Sequence, residues 1–198
     1  MREVFSSAVS SRFTSHPFTI DRGSDAVLYA YDSATDHRTY LTDSDAQKDI
    51  SLEISNASGT ELIHICVDGG VIEYGLEDYV GDGQPHGRCD CMLFNDAKLV
   101  FVEFKMNVET QKDKRLWQIC SDAMEQIEDF SIHLKNVFRQ HGDEFSNYYA
   151  KGSALALICI KTAPGMSARR NSQRLTAKDA FTSRTGLKIE YKTSVAFE

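Results

Sequence analysis

A chain of 198 residues, 41% hydrophobic and 26% charged, is long enough for one well-packed α/β or α+β domain, and its composition excludes a disordered or fibrous chain. Its longest purely apolar run, residues 154–160, falls far short of the roughly 20 residues that cross a bilayer, so no membrane partner is expected. The net charge of −7 argues against coating nucleic acid through an overall positive field, and five cysteines at irregular spacing argue against a secreted disulfide scaffold. With no basic-then-apolar leader at the N-terminus, a reducing, cytoplasmic location is the default expectation.

The first 60 residues are rich in Ser, Thr and Asp and show little periodicity. They read as a loosely determined lead-in, with short elements around residues 26–31 and 46–54. Residues 61–67 (ELIHICV) are β-rich and end at Asp68-Gly69-Gly70, a turn signal, after which residues 71–74 resume an extended pattern. Residues 77–87, with three glycines and Pro85, predict a loop. Two apolar, β-prone runs follow, 88–94 and 98–106, separated by Asn95-Asp96-Ala97, which is the clearest strand-turn-strand signal in the chain.

From about residue 109 to 140 the apolar positions Leu116, Ile119, Cys120, Ala123, Ile127, Phe130, Leu134, Val137 and Phe138 recur every three or four residues, predicting a helix with one buried face. His141-Gly142 closes it. A buried strand over 154–161, a helix over 172–183 and a last strand over 187–195 complete the chain. The expected fold is therefore α/β or α+β in a single domain, a central mixed sheet flanked by helices. Its core spans residues 61–161, and a basic helix and strand follow over 162–198. Residues 161–198 hold 8 basic and 3 acidic side chains, leaving 14 and 26 to residues 1–160. Arg169, Arg170, Arg174, Lys178, Arg184, Lys188 and Lys192 are thus candidate phosphate contacts, against the commoner reading of such a run as a solvated face.

The hairpin carries the chemistry. If its turn holds two or four residues, paired positions sum to 193, so Phe94 faces Leu99, Met92 faces Phe101 and Asp90 faces Glu103. Paired residues share a face, and alternation adds Lys105 to it. Like charges opposed in a sheet cost a few tenths to about 1 kcal/mol, so something must compensate. A divalent cation would do so, and hard oxygen ligands suit Mg²⁺ or Mn²⁺. Lys105 beside such a cation would orient a water and stabilise charge on a phosphate. A turn of three or five residues would separate the carboxylates and abolish the site.

Asp90, twelve residues, then Glu103-Phe104-Lys105 on an apolar strand, followed by a long helix and another strand, resembles the PD-(D/E)XK nuclease superfamily, over about residues 60–161. That resemblance implies a restriction-endonuclease-like core, Mg²⁺ held by Asp90 and Glu103, and Lys105 assisting attack on a phosphodiester. DNA is the implied partner, with RNA as the other choice, and the oligomeric state is left open with a dimer as one option. Cys89 stands where the family's usual Pro precedes the aspartate. Many members add an upstream Glu, for which Glu53, Glu61, Glu73 and Glu77 compete; Glu73 is preferred for its closeness to the hairpin. Some branches place a Gln on the following helix, a role open to Gln118 or Gln126, with Gln118 preferred. The competing readings are a non-catalytic binding or regulatory domain on the same fold, and an ion-pair cluster on an unrelated α+β domain. His86, Cys89 and Cys91 lack the further ligands of a zinc site, and alternation puts Cys89 and Cys91 together on the face opposite Asp90. Trp117, Phe130 and Phe138 read as helix core rather than as base-stacking rings.

Overall fold

The computed structural model describes residues 19–35, 38–67, 87–108, 113–149, 152–161 and 168–197. A six-stranded sheet runs in the order β1 (Thr19–Gly23), β5 (Leu62–Cys66), β6 (Cys91–Phe94), β7 (Leu99–Phe104), β8 (Ala154–Cys159), β9 (Lys188–Tyr191). The pairs β1–β5, β5–β6 and β6–β7 are antiparallel, while β7–β8 and β8–β9 are parallel. Parallel neighbours need a crossover, and helix α1 (Asp113–Gln140) supplies it between β7 and β8. A second helix, α2 (Ala168–Thr185), precedes β9. The mixed α/β architecture expected from the sequence is the one observed.

The large sheet is a middle layer with a core on each face. On one side Met92, Phe94 and Phe101 meet Cys120, Ile127, Phe130, Leu134 and Phe138 of α1, with Phe181 of α2 in the same cluster. On the other, Cys91, Leu93, Val100 and Val102 meet Leu28, Ala30, Leu52 and Ile54. Strands β6, β7 and β8 are buried throughout, which is why they read as continuous apolar runs instead of alternating ones. Helix α1 stops where expected: Gly142 takes φ +74 and its N–H donates to the Arg139 carbonyl at 2.9 Å.

The lead-in holds more structure than the sequence promised. It supplies β1 and three of the four strands of a second sheet, ordered β10 (Ser194–Ala196), β4 (Ser51–Ser55), β2 (Val27–Ser33), β3 (Arg38–Thr42). These strands are five to seven residues long, too short for period-two alternation to stand out from their polar surroundings. The expected last strand is divided. Strand β9 belongs to the large sheet and β10 to the small one, with Lys192 N–H on the Ile158 carbonyl at 3.3 Å and Thr193 O accepting from Glu53 N–H at 2.9 Å between them. The Asp68-Gly69-Gly70 hairpin, the strand at 71–74 and most of the loop at 77–87 lie outside the described residues, as do Glu73, Glu77 and His86.

Candidate active site at the end of strand β7

The turn has the required parity. Four residues, 95–98, separate β6 from β7, and Met92 pairs with Phe101 and Phe94 with Leu99. Asn95 makes the turn: its Oδ1 accepts from the N–H groups of Ala97 and Lys98 at 2.9 Å each, and its own N–H donates to the Lys98 carbonyl at 3.0 Å.

At the other end of the hairpin the ladder is not regular. Cys91 pairs with Val102, yet the N–H of Asp90 also points at the Val102 carbonyl, 3.0 Å away. Two residues facing one partner is a β-bulge. Its consequence is visible in the packing: Cys89 lies in the core under α1 while Cys91 lies in the core between the sheets, so the expectation that these two share a face is corrected. Both thiols are buried and pushed far up, by burial first and then by neighbouring charge.

The bulge lets the Asp90 side chain turn along the strand end. Its Oδ2 accepts the Phe104 N–H at 2.5 Å, capping a ladder position that β6 no longer reaches. Glu103 lies one alternation beyond Phe101, and its side chain is only 1% exposed. Lys105 follows β7, with its N–H on the Cys159 carbonyl at 2.8 Å and its Nζ 2.5 Å from Glu103 Oε1. Burial alone pushes the Lys105 ammonium down, but the Glu103 carboxylate, with Asp90 and Asp32 behind it, outweighs that and holds the pKa above the ordinary lysine value. The register stops at Cys91 opposite Val102, so the expected pairing of Asp90 with Glu103 gives way to the bulge; both carboxylates still lie close to Lys105, and the compensation for their charge is already partly internal, Lys105 on one and a backbone N–H on the other.

Asp32 was not singled out in the sequence. It sits at the end of β2 and shares with Lys105, Phe104 and Asn107 a cleft of about 190 Å³ between the two sheets. Nothing local marks it, because the site that it faces is formed by residues far along the chain. Of the upstream glutamates within the described residues, Glu61 pairs with Arg22 at 2.7 Å and Glu53 with Lys48 at 3.6 Å. Gln118 is exposed and donates to Asp122 at 2.8 Å, so the structure does not bring it to the three-residue cluster. Gln126 stands nearer, with its Nε2 on the Arg88 carbonyl at 3.4 Å, two residues before Asp90. A larger hollow of about 390 Å³ opens near Lys98, Ser153 and Lys188, at the opposite end of β7, and is remote from the carboxylates.

Among the described residues no three or more His, Cys, Asp or Glu side chains gather as a metal cage. The donor set still fits Mg²⁺ or Mn²⁺, because Mg²⁺ is commonly held by one or two carboxylates with the rest of its shell made of water and substrate oxygens. Several tail cations have partners of their own: Arg184 bridges to Glu128, Lys192 to Glu190 at 2.5 Å, and Lys178 lies over the Tyr191 ring at 4.5 Å. As the sequence suggested, Phe130 and Phe138 are core, and Trp117 packs partly buried against it. No described helix is long and apolar enough to cross a membrane. No protein-family model, curated protein or solved structure matches the chain.

Proposed function

We propose that the chain is a Mg²⁺- or Mn²⁺-dependent nuclease of the PD-(D/E)XK type that hydrolyses phosphodiester bonds of DNA, with RNA as the alternative substrate. One observation carries the reading: Asp90, Glu103 and Lys105 lie close together at the end of β7, where a bulge turns the Asp90 carboxylate onto the Phe104 N–H and Lys105 is ion-paired to Glu103. The order antiparallel hairpin, long helix, parallel strand supports the resemblance that those residues suggested.

When bound, the cation supplies Lewis acidity and a water of lowered pKa. The rest of the chemistry belongs to the chain. The Lys105 ammonium, pushed down by burial but held above the ordinary lysine pKa by the Glu103 carboxylate, donates hydrogen bonds to the attacking water or to a phosphate oxygen and offsets negative charge as it develops. Glu103 holds that ammonium in place. Asp90 is fixed through its Oδ2 and its backbone N–H. The cleft beside Asp32 is the open side from which a phosphate reaches Lys105.

A cleavage assay on plasmid and linear DNA with Mg²⁺ or Mn²⁺ tests this, run beside Lys105→Met and Glu103→Gln. Loss of cutting in both variants is expected; equal activity in all three proteins would sink the proposal. A second reading, a non-catalytic binding or regulatory domain, draws support from the internal compensation of both carboxylates and from the acidic balance of residues 1–160. The two differ thermally. A cation site raises the melting temperature with added Mn²⁺ by mass action, and Asp90→Asn abolishes the rise.

A further inference from the structure

Behind Asp90 lies a line of polar groups with no place in the hydrolytic scheme. His64 of β5 and Thr39 of β3 are both 0% exposed, in the layer where the two sheets meet. The Thr39 Oγ1 lies 3.0 Å from His64 Nε2 and 3.5 Å from the Asp90 carbonyl, which also accepts the Val67 N–H at 3.0 Å. His64 Nδ1 lies 3.2 Å from Asp21 Oδ2 of β1, its partner in register, although the ring N–H direction misses the oxygen and leaves the contact electrostatic. Hydroxyl, imidazole and carboxylate in this order resemble a nucleophile and its base, yet no substrate reaches a fully buried threonine.

The hydroxyl has one hydrogen and two acceptors. With His64 neutral and its proton on Nδ1, facing Asp21, the unprotonated Nε2 accepts from Thr39, and the longer contact to Asp90 is not made. A second proton on His64 reverses this: Nε2–H donates to Thr39 Oγ1, whose hydrogen is then free to turn to the Asp90 carbonyl. We propose that Asp21, His64 and Thr39 are positioning residues, a proton-linked brace in which charging His64 adds a hydrogen bond to the backbone of Asp90. The proton comes from solvent and stays on the imidazole, and no bond to carbon, oxygen or phosphorus changes.

The surrounding charges are mixed. Asp21 on β1 favours the imidazolium and Arg38 on β3 opposes it, while the thiols of Cys66 and Cys91 stand beside Thr39 from β5 and β6. Burial is the largest effect and pushes the His64 pKa below the usual 6.5. The brace thus engages on the acid side of neutrality. Its bearing on catalysis rests on the reading of Asp90 as a cation ligand; the coupling itself does not.

Nuclear magnetic resonance of the intact chain tests it, following the His64 ring nitrogens and the Asp90 carbonyl carbon between about pH 4 and pH 8. In the wild type both are expected to move with a single midpoint below that of a free histidine. Thr39→Val should leave the ring titrating and the Asp90 carbonyl still, and Thr39→Ser should restore the shared midpoint. An Asp90 carbonyl that ignores His64, or that responds equally in Thr39→Val, overturns the proposal, as does a His64 that stays neutral across the range. If Thr39→Val does not fold, the wild-type and Thr39→Ser titrations still decide. Added Mn²⁺ reports separately on the cation: failure to broaden the Asp90 and Glu103 resonances would count against the nuclease reading and leave the brace untouched.

Discussion

The Lys105 ammonium and the Glu103 carboxylate, 2.5 Å apart, form an ion pair whose acid is sealed in the core and whose base is only 24% exposed. Removing one partner of such a pair strands a buried charge, which costs about 3–5 kcal/mol where both are fully buried. Lys105→Met, with its head partly in water, should cost about 2–3 kcal/mol on that scale. The Glu103→Gln/Lys105→Met double variant should regain much of the loss, because nothing charged is then left behind. Urea unfolding of the four proteins gives the coupling directly, and additive losses would show that the pair does not act as a unit. Activity comparisons should therefore be read beside stability.

Gly87 is set by a close approach. A Cβ there would lie 2.8 Å from the Cα of Gln126 on α1, and the Gly87 N–H donates to Asp129 Oδ2 at 3.1 Å. Gly87→Ala must push the helix from the strand end that leads to Asp90, at about 1–3 kcal/mol. A lowered denaturation midpoint with unchanged slope is the expected result.

The turn can be tested by its length. Deleting Ala97 leaves three residues between Phe94 and Leu99, which either slips the register of β7 or breaks the Asn95 turn. Loss of cooperative unfolding is expected. Asn95→Ala, which keeps the length and removes two hydrogen bonds, should cost only about 1–2 kcal/mol. Equal effects from the two changes would deny the register its role.

Acid should weaken the fold through Asp21 and His64. The Asp21 pKa is lowered, first by the His64 side chain beside it, so its contribution is present above the unfolded value of 3.8 and fades as pH falls through the folded one. The His64 pKa is lowered by burial; between the folded and unfolded values only the unfolded chain binds the proton, so stability drops as pH falls below 6.5. A two-stage loss is expected, and His64→Gln should remove the upper stage. Stability that stayed flat from pH 7 to about pH 5 in the wild type would contradict this.

All five cysteines are free and buried. Burial raises the Cys159 thiol to about 12 and drives Cys89 and Cys91 well above their ordinary value. A thiol reagent at neutral pH should leave all five untouched in the native protein and label all five in denaturant. Fast labelling of Cys89 without unfolding would mean that the bulge opens.

What could be read from the sequence follows from what is local. Phe94 opposite Leu99 and Met92 opposite Phe101 came from two runs and one turn, all within a few residues of each other. Helix α1 announced itself by nine apolar positions on one face. Asp32 and Thr39 could not be found in this way, because β2 and β3 are short, polar-flanked strands and their importance arises only where a second sheet settles on the first. The bulge at Asp90 was hidden for a related reason: alternation is a rule of regular strands, and Cys89-Asp90-Cys91 departs from it at the point where function is proposed. Gln118 is preferred on spacing, yet in the structure it bonds to Asp122 while Gln126 reaches the Arg88 carbonyl, a difference that sequence spacing does not show.

The pairing of Ser194 with Glu53 has a further meaning for the order of assembly. Contacts so distant in sequence are costly in chain entropy and late to form. Asp32 and Thr39 lie on β2 and β3, so the cleft beside Lys105 and the support behind Asp90 exist only once the small sheet has settled on the large one. A nascent or partly unfolded chain can hold the hairpin and still lack the finished site.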